Sequence, residues 1–204
     1  GRQRGSSDAG LVVLGRNARA AKYPFAVGDA GTLGGVRWEI VGRLLHEEGF
    51  GELTREYLLW SPRAGYRWLE EYEGHYVLLQ QVQAGPPLAF LRSAFPKSRI
   101  DVLGTSFVCF EKGESSLVHV DGALPYRAAV GERSRFVDFV APPRIYSVSM
   151  SDKEVERYLG EHVDGAGLFA AFGKKEQFVP AQGVGPATPP AADASWRRAA
   201  KVAA

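Results

Sequence analysis

Short runs rich in aromatic and β-branched residues, separated by glycine- or proline-containing turns, dominate the middle of this 204-residue chain. The first three such runs after residue 54 read "REYLLWS", "YRWLEEYE" and "HYVLLQQV", and "PRAG" separates the first two. Each run has the length of a strand, and the turn residues between them favour tight reversals. This spacing constrains the fold more than any other feature, because it predicts an antiparallel β-meander.

A second set of β runs follows an irregular, proline-containing connector. "TSFVCFE" and "SSLVHVD" flank "KGE", which predicts a hairpin with a glycine-containing loop. "YRAAV" and "SRFVDFV" come next, with Gly122 and Gly131 permitting turns and Pro125 at the start of a run. In "FVDF", Val137 and Phe139 alternate with Asp138, so Asp138 should point away from their apolar face.

Helices are predicted only after these runs. Ser151 and Glu154 have the capping-box spacing and predict a helix that ends at Gly160, and "GAGLFAAFG" predicts a second short helix. The predicted fold is mainly β (α+β), with two small antiparallel β units packed as one domain, which could close into a barrel. The predicted segments are a linker over 1–23, a β-rich domain over 24–173 and a disordered Pro/Ala-rich tail over 174–204. Within the domain the β halves span about 24–85 and 98–150, and the helices lie within 151–172.

Composition bears on location and partners. The net charge is only +2, so a nucleic-acid partner is not expected. A single cysteine, Cys109, rules out an internal disulfide framework and favours a reducing compartment, so we expect a cytoplasmic protein. The segment "ASWRRAAKVAA" places a tryptophan beside basic residues, as cytoplasmic flanks of membrane segments do. A membrane tether outside this sequence and a disordered basic tail are both consistent with that segment, and the oligomeric state stays open.

The residue types that usually signal catalysis do not form a recognisable constellation. Glycine-rich "GDAGTLGG" precedes a strand-like run and lacks the phosphate-loop lysine, so it is interpreted as turns. The four histidines share no metal-ligand spacing. Cys109 and His119 fall on the two arms of the predicted hairpin, but the apolar run around Cys109 favours a buried, inert thiol. Glu70, Glu71 and Glu73 are interpreted as a solvated strand face. We therefore expect no cofactor, no metal and no catalytic residues.

Five or six motifs in a fixed order resemble one known family. They are the glycine-rich "VGDAGTLGGVRWEIVGRL", "TREYLLW", "YRWLEEYEGHYVLL", "GALPY", "VGE" and "VDFVAPP" followed by "YSVS". Together they resemble the bacterial family catalogued as domain of unknown function 4178, over roughly residues 25–172. The resemblance implies a non-enzymatic module, often found in chains that carry membrane segments, in a stress-related bacterial system.

The densest group of large side chains, four tyrosines with Trp38, Trp60 and Trp68, is interpreted mainly as a core. The alternative is an aromatic groove with arginines at its rim, since binding surfaces are rich in both. We predict a non-catalytic module that binds a protein or a small molecule, tethered near a membrane. The candidate binding residues are Arg43, Glu56, Trp68, Tyr126, Arg127 and Asp138. The alternative is a hydrolase-like enzyme using convergent carboxylates or a recruited metal; it predicts a deep polar pocket with a perturbed carboxyl or histidine.

Overall fold

A computed structural model describes residues 23–152, 154–181 and 183–190 of the chain. These residues form ten strands and two short α-helices, α1 (Leu88–Ser93) and α2 (Gly165–Ala171). The strands are β1 (Ala30–Leu33), β2 (Val36–Glu48), β3 (Leu53–Ser61), β4 (Gly65–Tyr72), β5 (His75–Gln81), β6 (Arg99–Val102), β7 (Thr105–Gly122), β8 (Arg133–Ala141), β9 (Arg144–Met150) and β10 (Val155–Val163). Short 3-10 helices lie at Gly49–Gly51 and Lys175–Gln177.

Eight of these strands close into one antiparallel barrel in the order β2-β3-β4-β5-β10-β9-β8-β7, and β7 pairs back onto β2. β1 and β6 extend the sheet beside β2 and β7. The mainly β prediction is confirmed, and the barrel is a single one. Neither predicted half closes alone, because β2 of the first half pairs with β7 of the second, and β5 pairs with β10, which follows both halves.

β-Bulges decide which side chains face the inside of the barrel. In β2 the pairing shifts by one residue between Ile40 and Gly42. Side chains an even number of residues apart normally lie on the same face of a strand, but they lie on opposite faces here when Val41 stands between them. In β7 a similar shift between Cys109 and Glu111 leaves Phe110 as the extra residue. Cys109 is therefore buried outside the barrel, whereas Glu111 lines its interior.

Two apolar cores lie on the outer surface of the barrel. The α2-side core is covered by α2 and by Phe25 of the N-terminal segment, and it includes Tyr57, Leu59, Leu69, Leu168 and Phe169. The α1-side core is covered by α1 and β6, and it includes Leu91, Ile100, Phe107, Val137, Phe139 and Tyr146. A third cluster inside the barrel includes Leu44, Leu58, Trp68, Val77, Leu79 and Leu117. The interpretation of the tryptophans and tyrosines as mainly core is correct for Trp38, Tyr57 and Tyr76, which are buried.

The predicted helix after Ser151 is wrong, because this segment becomes strand β10. The capping-box residues do meet, since Ser151 Oγ accepts a hydrogen bond from the Glu154 amide at 3.1 Å, but they form a turn. β10 then pairs on both sides, with β5 and β9. Gly160, predicted as a helix end, instead lies in β10 at a position where no side chain fits, since a Cβ there would lie 2.5 Å from Leu79. The second predicted helix is confirmed as α2, with Asp164 as its N-cap.

Three further predictions along the chain need correction. "TSFVCFEKGESSLVHVD" is one continuous strand, β7, rather than a hairpin, because β8 and β2 pair with successive parts of it. "YRAAV" is a loop rather than a strand. The predicted disordered tail does not hold for its described part, where Phe178 packs on the α2-side core and Ala187 is 1% exposed. Of the predicted linker over 1–23, residues 1–22 lie outside the described residues, as does the segment from 191 with Trp196 and its basic neighbours.

Candidate functional site: the barrel lumen

The interior of the barrel contains a cavity of about 400 Å³, which we call the lumen cavity. Its lining comes from inward-facing residues of β2, β3, β4, β5, β7, β8, β9 and β10, together with the loop 126–128 and Pro186. This volume lies within the range of about 300 to 1,000 Å³ that small-molecule sites occupy. The cavity is therefore large enough to hold a small organic ligand.

One part of the lining is apolar. It consists of Leu44, Trp68, Val77, Leu79, Leu117 and Ile145. These side chains belong to the interior cluster, and Ala128 and Ala187 are buried against the same cluster from the loop and from the C-terminal segment. The C-terminal segment is held there by a contact of 3.2 Å between Thr188 Oγ1 and His75 Nδ1.

The rest of the lining is strongly acidic. Five carboxylates project from the barrel strands: Glu48, Glu56, Glu70, Glu111 and Asp138. Four more lie on or beside the strand ends: Glu132, Asp152, Glu154 and Glu156. The two arginines of the lining, Arg127 and Arg133, are exposed, so they lie where the cavity meets solvent. The interior of the cavity is consequently an acidic environment bounded on one side by apolar side chains.

Two pairs of these carboxylates are direct cross-strand neighbours. Glu56 on β3 is opposite Glu70 on β4, and Glu111 on β7 is opposite Asp138 on β8. Like charges placed opposite each other in a sheet repel and destabilise it. His46 lies beside the first of these pairs, with its Nε2 atom 3.7 Å from Glu56 Oε1.

Asp138 is the most unusual of the five. Its carboxylate lies deep inside the barrel, and its Oδ1 atom has no hydrogen-bond partner among the described residues. Burial raises the pKa of Asp138 to about 7; a hydrogen bond with Ser147 opposes this rise, and repulsion by Glu111 and Glu48 adds to it. The side chain keeps some accessible surface because it faces the cavity.

Glu70 is a second lumen carboxyl group with a raised pKa. Burial, followed by the repulsion of four neighbouring carboxylates, raises the pKa of Glu70 well above its usual value. Those neighbours are Asp138, Glu56, Glu48 and Glu111. Burial is also the main cause that raises the pKa of Glu48 and of Glu111. The cluster therefore acts as one electrostatic unit in which ionising one carboxyl group makes the next harder to ionise.

Five of the six candidate binding residues line this cavity. Glu56, Trp68 and Asp138 project from barrel strands, and Tyr126 and Arg127 belong to the loop after β7. Arg43 does not. It lies on the outer face, where its guanidinium stacks on the Tyr23 ring at 4.4 Å and pairs with Asp121. Arg43 therefore fastens the N-terminal segment to the barrel.

Several sequence interpretations change once the fold is known. Glu71 is not on a wet face: it is 5% exposed, and its Oε2 atom lies 2.6 Å from Arg55 Nη1. Glu70, interpreted with it as solvated, faces the lumen cavity. Cys109 and His119 lie on the same strand, ten residues or about 30 Å apart at the usual rise, so they cannot act as a pair.

Sequence reasoning also misses four residues that line the cavity. Glu48 and Glu111 have no predicted role, and Glu156 and Tyr158 fall in the predicted helix. Alternation along β2 and β10 is the signal that could have found Glu48 and Glu156. Glu111 follows a bulge, so simple alternation from Cys109 would have placed it outside the barrel.

The described residues include no group of three or more His, Cys, Asp or Glu side chains placed to hold a metal ion. Among the same residues, no helix has the length and apolar character needed to cross a membrane.

Comparison with known proteins identifies the family. The model of the family "domain of unknown function 4178" matches residues 26–165. No curated protein and no solved structure matches the chain. The family match covers the whole closed barrel, and the chain belongs to the family with domain of unknown function 4178.

Proposed function

We propose that this member of the family is a small-molecule-binding module and that its ligand occupies the lumen cavity. The observation that carries the proposal is Asp138, a buried carboxylate that faces a cavity of about 400 Å³ while its Oδ1 atom lacks a hydrogen-bond partner among the described residues. Buried polar atoms are normally satisfied by protein or water, so a group left open toward a cavity is a candidate ligand contact.

The arrangement of the lining supports the same function. Ligand sites combine an apolar wall with a few polar groups that fix orientation. Here Trp68 and its aliphatic neighbours supply the wall, and the carboxylate cluster supplies the polar groups. A protein of this size could instead fill a barrel of eight strands completely with side chains. The cavity and the buried carboxylates are thus features that packing alone does not require.

Two tryptophans provide a direct test by nuclear magnetic resonance. Trp68 lines the lumen cavity, whereas Trp38 is buried in the α2-side core. We would titrate the protein with three six-carbon probes, hexylamine, 1-hexanol and hexanoate, and follow both indole N–H signals. The proposal expects at least one probe to shift the Trp68 signal in a saturable manner without moving Trp38. If no probe moves Trp68, or if both signals move together, the proposal fails.

A second candidate function is acid–base catalysis, and one observation favours it. The alternative of an enzyme with convergent carboxylates predicts a deep polar pocket with a perturbed carboxyl group, and Asp138, with its pKa raised to about 7, fits that description. The test is turnover of chromogenic nitrophenyl esters, glycosides and phosphates. Activity that Asp138→Asn abolishes and Glu161→Gln preserves would favour the enzyme, since Glu161 is exposed on the same strand as Glu156.

Tethering near a membrane remains a prediction. It rests on the segment around Trp196, which lies outside the described residues, and on what the family resemblance implies. It would be tested by fractionating cells that express the full-length protein and asking whether it sediments with membranes. A cytoplasmic location and a protein partner likewise remain predictions.

A further inference from the structure

We propose that the ligand of the lumen cavity is an organic cation, a protonated primary amine attached to an aliphatic body. This inference rests on the proposed function and specifies the ligand class of the same site. It is carried by the contrast between the carboxylate cluster and the apolar wall of the cavity.

The first argument is the geometry of the cluster. Glu56 with Glu70, and Glu111 with Asp138, are like-charged cross-strand pairs that face the same cavity. Barrel interiors of this size are filled by side chains, and apolar residues would fill this one at no electrostatic cost. A bound cation would convert both repulsive pairs into attractive contacts. A positive charge between the strands would therefore make the ionised form of this arrangement favourable.

The second argument is the unpartnered oxygen. Asp138 Oδ1 is buried, faces the cavity and has no hydrogen-bond partner among the described residues. A carboxylate oxygen accepts hydrogen bonds, and an ammonium group supplies three donors that can be shared between carboxylates on different strands. An ammonium ion placed near Asp138 and Glu70 would satisfy this acceptor and offset the buried charge.

Other ligand classes fit the lining less well. An anion would meet repulsion from the five strand carboxylates, and the arginines of the lining are on its exposed side. A bare divalent metal needs several ligand atoms that converge on one point, and the described residues contain no such group. Uncharged ligands would leave the carboxylates without a counter-charge.

The third argument concerns the ligand body. The wall formed by Leu44, Val77, Leu79 and Ile145 faces the same cavity as the carboxylates. A hydrated inorganic cation gains nothing from such a wall, whereas an alkyl chain would be removed from water against it. The site therefore selects an ammonium group that carries an aliphatic chain.

Binding should be coupled to loss of protons from the cluster. Because burial and mutual repulsion raise the pKa of Asp138 and of Glu70, part of the cluster carries protons near neutral pH. A cation stabilises the ionised form, so its arrival releases protons from carboxyl groups to the solvent. The affinity for the cation should then rise with pH, by up to about tenfold per pH unit below the pKa of the group that ionises.

The experiment is calorimetric titration with hexylamine, 1-hexanol and hexanoate at pH 8, repeated at pH 6. Hexylamine should bind at least about tenfold more tightly than 1-hexanol, the difference expected of one charge-assisted contact, and hexanoate more weakly than either. Titration in two buffers of different ionisation enthalpy should show proton release when hexylamine binds. The affinity for 1-hexanol should change much less between the two pH values.

Three variants localise the effect. Asp138→Asn and Glu70→Gln, which keep the shape of each side chain, should each weaken hexylamine binding at least about tenfold while leaving 1-hexanol binding within about twofold. Glu161→Gln is the matched control, since it removes one carboxylate from the outer face of β10, and it should bind like the parent protein. Circular dichroism and the Trp38 signal would confirm that each variant is folded.

The outcomes separate this inference from the proposed function. If 1-hexanol or hexanoate binds at least as tightly as hexylamine and shifts the Trp68 signal, lumen binding stands and the cation inference is overturned. If hexylamine binds but all three variants bind equally well, the amine lies elsewhere and the inference is also overturned. If no probe shifts Trp68, both the inference and the proposed function fail.

Discussion

The outer surface and the interior of this barrel are built from the same strands yet have opposite chemistry. On β8, Val137 and Phe139 point outward into the α1-side core, while Asp138 between them points into the lumen cavity. On β4, Leu69 packs into the α2-side core, while Trp68 and Glu70 line the cavity. Barrel interiors of this size are commonly filled with apolar side chains. Here the covering segments bury the outer surface, whereas the interior contains carboxylates and the lumen cavity.

This difference indicates which region stabilises the fold and which region opposes folding but fits the proposed ligand binding. The outer cores are apolar and tightly packed, and burying them against α1, α2 and the N-terminal segment supplies the hydrophobic stabilisation. The lumen contains like-charged pairs that oppose folding. Sites that bind ligands commonly sacrifice stability in this way. Substitutions in the two regions should therefore change stability in different directions.

The largest expected effect is loss of packing on the outer surface. Phe139 is fully buried in the α1-side core, so Phe139→Ala should lower the free energy of unfolding by about 3 to 5 kcal/mol. Ser149→Ala, a substitution in the lumen lining, should change it by less than about 1 kcal/mol. Urea unfolding monitored by fluorescence measures both. Equal effects of the two substitutions would contradict the comparison.

A smaller effect is expected at the buried ion pair of the outer surface. Arg55→Met leaves the buried Glu71 carboxylate without its charged partner, and we expect a loss of about 3 kcal/mol. Arg135→Met breaks the pair with Glu114, which is exposed, and should cost less than about 1 kcal/mol. Thermal unfolding of the two variants at one pH provides the measurement. If Arg55→Met lowered stability as little as Arg135→Met, the Glu71 carboxylate would have to be solvated by water.

The smallest effect, measured per pH unit, is the pH dependence of the free energy of unfolding that the lumen carboxylates cause. The folded-state pKa of Asp138 is raised from its ordinary 3.8 to about 7, so between these values the unfolded chain has lost a proton that the folded protein retains. The stability contributed by protonated Asp138 is full below pH 4 and is lost as pH rises through 7. This one group should lower the free energy of unfolding by about 1.4 kcal/mol per pH unit within that window.

Comparing variants assigns this slope to the lumen. Glu70, Glu48 and Glu111 have pKa values raised in the same direction, so the total slope of the parent protein should be steeper than that of one group. Asp138→Asn should flatten the slope and should stabilise the protein above pH 7, while Glu161→Gln should leave the profile unchanged. Urea unfolding at intervals from pH 4 to 8 measures the profiles. A profile for Asp138→Asn that overlays the parent would show that Asp138 ionises freely in the folded protein.

Local sequence signals located most of the strands and one helix. The turn residues and aromatic runs predicted β3, β4, β5 and β8, because alternation and turn chemistry are properties of neighbouring residues. The opposite orientation of Asp138 relative to Val137 and Phe139 followed from the same alternation. Five of the six candidate binding residues line one cavity, although they lie far apart along the chain.

The amino-acid sequence by itself determined the β class, the family and the in–out alternation within each uninterrupted strand. Only the tertiary structure decided that β2 closes on β7, that β10 is a strand despite its capping box, and that Glu111 faces inward after a bulge. The physical reason is that these features depend on partners far along the chain: Leu44 pairs with Val120, and Leu79 with Gly160. Pairing on both sides outweighs a local helix preference, and one extra residue reverses the face on which every later side chain lies.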